Sequence, residues 1–399
     1  MAYTWMKAVQ ILKFSKSTPF ALVQQCMAHR DSFKASEIEY HYTSNPKPKP
    51  ANSDFCKFGT NFTDHMLMVD WDDVKGWEIP VIKPVEDVGL HPAASVLQFS
   101  TELYEGLKAY RTARNTINIF RPMENMKRME YTAERACLPA FDKQEVINCI
   151  CELIRVDKEW VPYSQKASLY IRPFMIGTEI SIALKRPNTA TFLCIMCPVG
   201  PYFATGTFSP ISLLADPSYV RAGKGGVGAY KLGSNYGPTI MVQAEAASRG
   251  CQQVLWLYGK EEKITEVGTM NFFMFWINEN GDKELATMPL DEGIVLSGVT
   301  RRSLIDLARQ WGEFKVTERK ITMNDVVMGL NENRVLEMFG TGTACVVCPI
   351  DRILYKDTNL HIPTMENGPY VAGRFYKELA DIQYGRVSHE WAYTAVEEY

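Results

Sequence analysis

The chain has 399 residues, 46% of them apolar and 22% charged, with a formal net charge of −3. That length exceeds one ordinary hydrophobic core, so two or more domains are expected. The near-neutral balance lacks the basic face of a nucleic-acid binder. No run of about 18 apolar residues marks a membrane helix, and ten cysteines without a secretory apolar segment suit a reducing compartment better than a disulfide scaffold.

Residues 1–50 read as an N-terminal extension. Lys7, Lys13, Lys16 and Arg30 precede the first acid, Asp31, while Trp5, Val9, Leu12 and Phe14 supply an apolar side. A mitochondrial transit peptide has this basic, amphipathic, acid-poor character. Arginine is scarce, however, and a disordered cytosolic tail is the other reading, so mitochondrion and cytosol both stay open. Pro46, Pro48 and Pro50 mark a joint before the folded part.

Residues 51–200 are expected to form a smaller α/β domain. Phe62–Trp71, Leu103–Arg111 and Thr116–Arg121 read as strands. Pro122–Cys137 and Lys143–Arg155 have helical spacing, the second with Val146, Ile147, Ile150 and Leu153 on one side. Ser168–Ile176 and Ala190–Val199 read as strands again. Residues 201–210, with Pro201, Gly206 and Pro210, read as an interdomain linker. In the larger domain, 211–399, hairpins are expected at Gln253–Val267 and Asn271–Met288. Helices are expected at Thr239–Ser248, Gly298–Gly312, Asn324–Gly329 and Gly368–Ile382. Paired strands with a few helices suggest an α/β (α+β) fold without a doubly wound sheet.

Gly223–Pro238, GKGGVGAYKLGSNYGP, has six glycines in sixteen residues and one late lysine, Lys231. Glycine lets a ligand approach the main chain closely. The spacing Gly223-x-Gly225-x-x-Gly228 matches a dinucleotide fingerprint. That motif, however, must follow a strand directly and open a helix, and here Pro217–Ala222 precedes it and ten residues separate Gly228 from the helix. A phosphate-binding P-loop fails because Ala229-Tyr230 stands where Lys-Ser/Thr is required. Two C-x-x-C pairs, Cys194/Cys197 and Cys345/Cys348, lie too far apart for one zinc site, so no metal is expected. Cys194 and Cys197 sit in an apolar strand and read as buried structural thiols.

Lys231 and Tyr236, followed by ITEVGTMN (Ile264–Asn271), SGVTR (Ser297–Arg301) and FGTGTAC (Phe339–Cys345), resemble the fold-type IV pyridoxal-phosphate aminotransferases. FTDHMLMVDW (Phe62–Trp71) and ELYEGLK (Glu102–Lys108) narrow the resemblance to the eukaryotic branched-chain-amino-acid aminotransferases. It runs from about Phe55 to the C-terminus. It implies two domains with pyridoxal 5′-phosphate at their interface, and a homodimer in which the partner's loop near Ile182–Leu184 closes the pocket. It also implies transfer of an amino group from L-leucine, L-isoleucine or L-valine to 2-oxoglutarate.

The resemblance carries roles to particular residues. Lys231 is the amine that holds the cofactor and moves the proton, since only a free amine is a nucleophile or base. Glu266 is the carboxylate beside the ring nitrogen; on the local pattern alone it reads as a solvated strand residue. Tyr236 partners the ring oxygen. Arg128, Val299, Thr300 and Thr341 receive the phosphate, Val299 and Thr300 through free N–H groups at a helix start, and Thr269 lies beside the cofactor. Phe58, Tyr170, Tyr202, Thr269 and Met270 form the aliphatic pocket, Arg172 stands at its mouth for a distal carboxylate, and the Thr343-Ala344 turn meets the α-carboxylate. The aromatics are also readable as plain core. Cys345 and Cys348 match a redox pair known in some family members. Phe99, where the family often has tyrosine, and Ser234, where glycine is frequent, are departures.

Overall fold

The computed structural model describes residues 29–51, 56–200, 208–366 and 368–397. The basic first segment, most of the expected linker and Tyr202 lie outside the described residues.

The first half of the chain builds one sheet. Its strands are β1 (Glu39–Tyr40), β2 (His65–Asp72), β3 (Gly76–Trp77), β4 (Val81–Pro84), β5 (Glu102–Tyr104), β6 (Leu107–Arg111), β7 (Ile117–Phe120), β8 (Ser168–Gly177) and β9 (Thr189–Val199). Short α1 (Ser95–Phe99) precedes β5, and α2 (Pro122–Ala136) and α3 (Lys143–Val156) lie between β7 and β8. Helix α3 starts where Asp142 accepts from the N–H groups of Gln144 and Glu145, satisfying two of its unpaired donors. Its apolar side, Val146, Ile147, Ile150, Leu153 and Ile154, joins Met126 and Met129 of α2 over Leu67, Val69 and Trp71 of β2.

The second half forms β10 (Ile211–Ala215), β11 (Gln253–Tyr258), β12 (Lys263–Val267), β13 (Met270–Ile277), β14 (Lys283–Thr287), β15 (Lys315–Glu318), β16 (Val335–Gly342), β17 (Val346–Tyr355) and β18 (Thr358–His361). The two expected hairpins are present as β11–β12 and β13–β14. Because β12 pairs with both β11 and β13, the path β12-β11-β10-β17-β16-β13 closes on itself. Strand β13 shows the consequence in its sequence, MNFFMFWI. Successive side chains point to opposite faces. Phe272, Met274 and Trp276 enter the cluster inside the ring, while Phe273 and Phe275 join the outer cluster with α5 (Val299–Trp311) and α7 (Tyr370–Gln383). Helices α4 (Thr239–Ser248) and α6 (Met323–Asn331) complete this half, α6 starting in a capping box between Thr322 and Asp325.

The chain then returns. Strand β19 (Ala392–Val396) pairs with β7 of the first sheet, and Ala395 and Val396 are buried in that sheet's core. The C-terminal strand therefore belongs with the first half, although the sequence places it in 211–399.

Candidate active site

A cavity of about 190 Å³ lies between the two sheets. Lys231 reaches it from the glycine-rich loop. Leu232 bridges to Leu103 of β5, the Tyr104 N–H donates to the Lys231 carbonyl at 3.2 Å, and the Lys231 N–H donates to Thr132 Oγ1 at 3.2 Å. The loop itself is stitched by Asn235, whose Nδ2 donates to the Val227 and Tyr230 carbonyls. Main chain pinned on both sides leaves the lysine side chain to project inward. Its Nζ stands 3.5 Å from the Tyr236 hydroxyl and 4.6 Å from the centre of the Tyr104 ring.

Two buried acids serve this region differently. Glu266 on β12 is 3% exposed; its Oε1 accepts the Leu296 N–H at 2.7 Å and lies 3.5 Å from Arg221 Nη2. Burial pushes its pKa up, against the pull of Arg221, the Leu296 N–H, Lys231 and Arg128. Glu105, fully buried after β5, is gripped by Arg128 of α2 through Nε at 2.7 Å and Nη2 at 2.8 Å, and by Asn125 at 2.8 Å. Burial alone would raise its pKa, but Arg128, Lys231 and Asn125 together outweigh that and hold it low. Arg128 also donates from Nη1 to the Ser297 carbonyl at 3.1 Å. Of its five N–H donors these bonds engage three, and Arg128 lines the cavity.

At the same end α5 begins. Its N-cap is Gly298, with no side-chain cap, so the first N–H groups are presented to the cavity that Val299 and Thr300 line. A Cβ on residue 298 would collide with Asn271 Oδ1, whose amide in turn donates to the Leu296 carbonyl at 2.8 Å. Thr341 lines the cavity, but its hydroxyl donates to the Val346 carbonyl at 2.6 Å, so its proton is already engaged.

The remaining wall is largely apolar. Phe58 packs edge-on against Tyr170, centroids 4.7 Å apart. Tyr170 accepts from Arg172 Nη2 at 3.2 Å, and the Arg172 guanidinium lies over the Tyr104 ring at 4.5 Å. Its Nε, buried, has no partner among the described residues. Thr269, Met270, Thr343, Ala344 and Cys345 close the cavity. One amine, an arginine and an open helix start thus line a space of small-molecule size, with the buried Glu266 held one residue back by the Leu296 N–H.

Residues 102–353 match the amino-transferase class IV family. The chain is 56% identical to the cytosolic branched-chain-amino-acid aminotransferase of Mus musculus, over 94% of this chain and 97% of the mouse protein. It is 55% identical to the mitochondrial branched-chain-amino-acid aminotransferase of Rattus norvegicus, over 90% and 91%. The chain belongs to the class IV amino-transferase family, among the branched-chain-amino-acid aminotransferases of eukaryotic type. In fold this aminotransferase is similar to the branched-chain enzyme of Escherichia coli (TM-score 0.65, 21% identity, 82% of this chain and 99% of that one). It is likewise similar to that of Thermobaculum terrenum in its PLP-form (TM-score 0.66, 19% identity, 85% and 100%). Both likenesses support the expected α/β fold.

The aminotransferase brings together nearly every residue singled out in its sequence. Glu266 stands behind Leu296 and does not line the cavity. Phe99 is 36% exposed at the end of α1 and stays off the cavity wall. Cys345 and Cys348 are unbridged. Burial pushes the Cys345 thiol up to about 12 and the Cys348 thiol higher still, away from the thiolate that exchange requires. Cys194 is buried in the first sheet's core and Cys197 packs beside Tyr170, as structural thiols do. Glu105, Arg221 and Lys108 have no assigned role in the sequence reading. Glu105 and Lys108 lie inside the ELYEGLK block, the one signal the sequence offers for them; Arg221, ahead of the glycine-rich stretch, has none.

Proposed function

We propose that this aminotransferase moves the amino group of L-leucine, L-isoleucine or L-valine to 2-oxoglutarate in two successive, ping-pong half-reactions, with pyridoxal 5′-phosphate as cofactor. The observation that carries this reading is the one lysine amine lining the cavity among the described residues, Lys231 Nζ, beside Tyr236, with Arg128 on the same wall and the buried Glu266 charge-coupled to it from behind Leu296. The donor set fits the cofactor. Arg128 and the uncapped start of α5 suit a phosphate, and a buried carboxylate whose pKa burial raises despite Arg221 would gain from a protonated ring nitrogen. When bound, pyridoxal phosphate supplies an aldehyde that joins amines and a ring that withdraws electrons from them.

The chain's own groups do the rest. Lys231 takes and returns the proton at the substrate Cα, and the Tyr236 hydroxyl orients its Nζ. Arg128, Val299 and Thr300 hold the phosphate end, with Thr269 beside it, and Thr341, its hydroxyl proton committed to the Val346 carbonyl, borders it. Phe58, Tyr170, Tyr202 and Met270 exclude water from a branched side chain, whose burial is worth about 25 cal/mol per Å². Arg172, with an unpaired Nε among the described residues, meets the distal carboxylate of 2-oxoglutarate, and the Thr343-Ala344 turn meets the α-carboxylate. Residues 51–200 and 211–399 serve as the two domains, tied by the return of β19.

A homodimer is part of the proposal. Ile182 and Leu184 are 78% and 83% exposed in one loop, an apolar segment suited to a second copy. Mitochondrial residence rests on the basic, acid-poor first residues; cytosolic and mitochondrial relatives, at 56% and 55% identity, do not choose between the compartments. The purified protein should absorb visible light, and L-leucine, not D-leucine, should change that spectrum. Lys231→Ala should abolish both turnover and the visible band. A variant that retained both would overturn the assignment.

A further inference from the structure

The turn Thr343–Cys345 joins β16 to β17 and separates two cavities. Ala344 and Cys345 line the 190 Å³ cavity on one side and a second cavity of about 50 Å³ on the other. A wall with space behind it is not located by close packing. The turn is also strained: Val346, β-branched, closes it at φ +65°, a conformation such residues rarely adopt. Something must hold it. One clamp is Thr341, donating to the Val346 carbonyl. The other comes from the opposite sheet. Lys108 of β6 is 7% exposed, and its Nζ donates to the Ala344 carbonyl at 2.7 Å. No carboxylate of the described residues forms an ion pair with it, and the group that offsets its burial, Cys345, is itself a buried thiol held protonated.

We propose that Lys108 is a positioning residue for substrate carboxylate binding: it fixes the Ala344 carbonyl so that the turn's N–H groups face the cavity, and sets an unneutralised positive charge behind them. The inference rests on the proposed α-carboxylate role of that turn. A buried ammonium without a counter-ion is costly, and an anion arriving on the far side of a thin wall offsets that cost. In a low-dielectric setting the attraction is stronger than in water. Burial pushes the Lys108 pKa down to about 8, in keeping with a cation awaiting a partner.

The test compares two ligands on the holoenzyme: L-leucine, and 3-methylbutylamine, which has the same side chain and amine but no carboxylate. Binding is read from the cofactor's visible spectrum. Lys108→Met should weaken L-leucine by about 10- to 100-fold, the scale of a lost charge-assisted hydrogen bond. It should leave 3-methylbutylamine within about twofold, and Lys108→Arg should restore most of the loss. Should Lys108→Met not fold, Lys108→Gln removes the charge and is read the same way. Equal weakening of both ligands would mean general loosening and would overturn the proposal, as would no change in either. A wild-type protein without cofactor absorbance would overturn the proposed function and this assignment with it.

Discussion

Glu266 has two good partners and still sits in the fold at a disadvantage. Arg221 and the Leu296 N–H favour its charged form, yet burial outweighs them and its pKa is raised. A group whose folded pKa is raised contributes its full stability below the unfolded value, here 4.5, and loses it as pH rises through the folded value. The protein without cofactor should therefore be destabilised through Glu266 as pH rises from the carboxylate range. A positively charged ring nitrogen beside Glu266 would reverse the sign for the loaded enzyme. The gap in melting temperature between loaded and unloaded protein should then widen as pH rises above the unfolded carboxylate value, and Glu266→Gln should flatten that widening. Equal slopes for wild type and Glu266→Gln would place Glu266 away from the ring. The sequence makes this residue legible only through its ITEVGTMN block. Nothing in strand alternation distinguishes a carboxylate facing a cofactor from one facing water, and Arg221, which lies in a separate loop segment, is found only in three dimensions.

At the scale of elements, the helix start at Gly298 shows why a glycine stands there. Its φ of −67° needs no left-handed freedom; the constraint is space, since a Cβ would strike Asn271 Oδ1. Asn271 cannot simply move, because its amide holds the Leu296 carbonyl and the Leu296 N–H holds Glu266. Gly298→Ala should therefore displace the start of α5, costing about 1–3 kcal/mol of stability and weakening cofactor and inorganic phosphate binding together. Urea unfolding and a phosphate titration would check this, and unchanged phosphate affinity would show that α5 does not hold the anion. Much at this scale was readable. The hairpins β11–β12 and β13–β14 and the helices α3 and α5 follow from alternation, helical spacing and turn residues. Closure of the ring was not, because it depends on β10 pairing in parallel with both β11 and β17. Parallel pairs carry no local turn signature, and β17 lies more than a hundred residues downstream.

For the whole molecule, the two sheets keep their places through contacts made far apart in sequence, and the last of these is the C-terminal strand. All four residues of β7 are buried, and β19 covers an edge that would otherwise be open. Trp391 adds to the seal, edge-on to Phe120 at 6.0 Å and under the Arg121 guanidinium at 4.3 Å. Arg121 reaches onward to Ser303 and Asp306 of α5, and the Tyr384 hydroxyl donates to the Ala167 carbonyl at 3.1 Å. The end of the chain thus braces the first sheet against the helix whose start faces the cavity. A chain stopped after Ser388 loses the burial of Ala395, Val396 and Trp391, on the order of 3 kcal/mol, and uncovers an apolar strand edge. It should unfold at lower urea concentration, elute partly as aggregate, and show a larger loss in kcat/KM than in helix content, because Arg121 would lose Trp391 beneath it and hold α5 less firmly beside the cavity. Full activity with an unchanged unfolding midpoint would mean that the glycine-rich loop and the Lys108 clamp suffice to align the sheets, and that β19 only covers an edge.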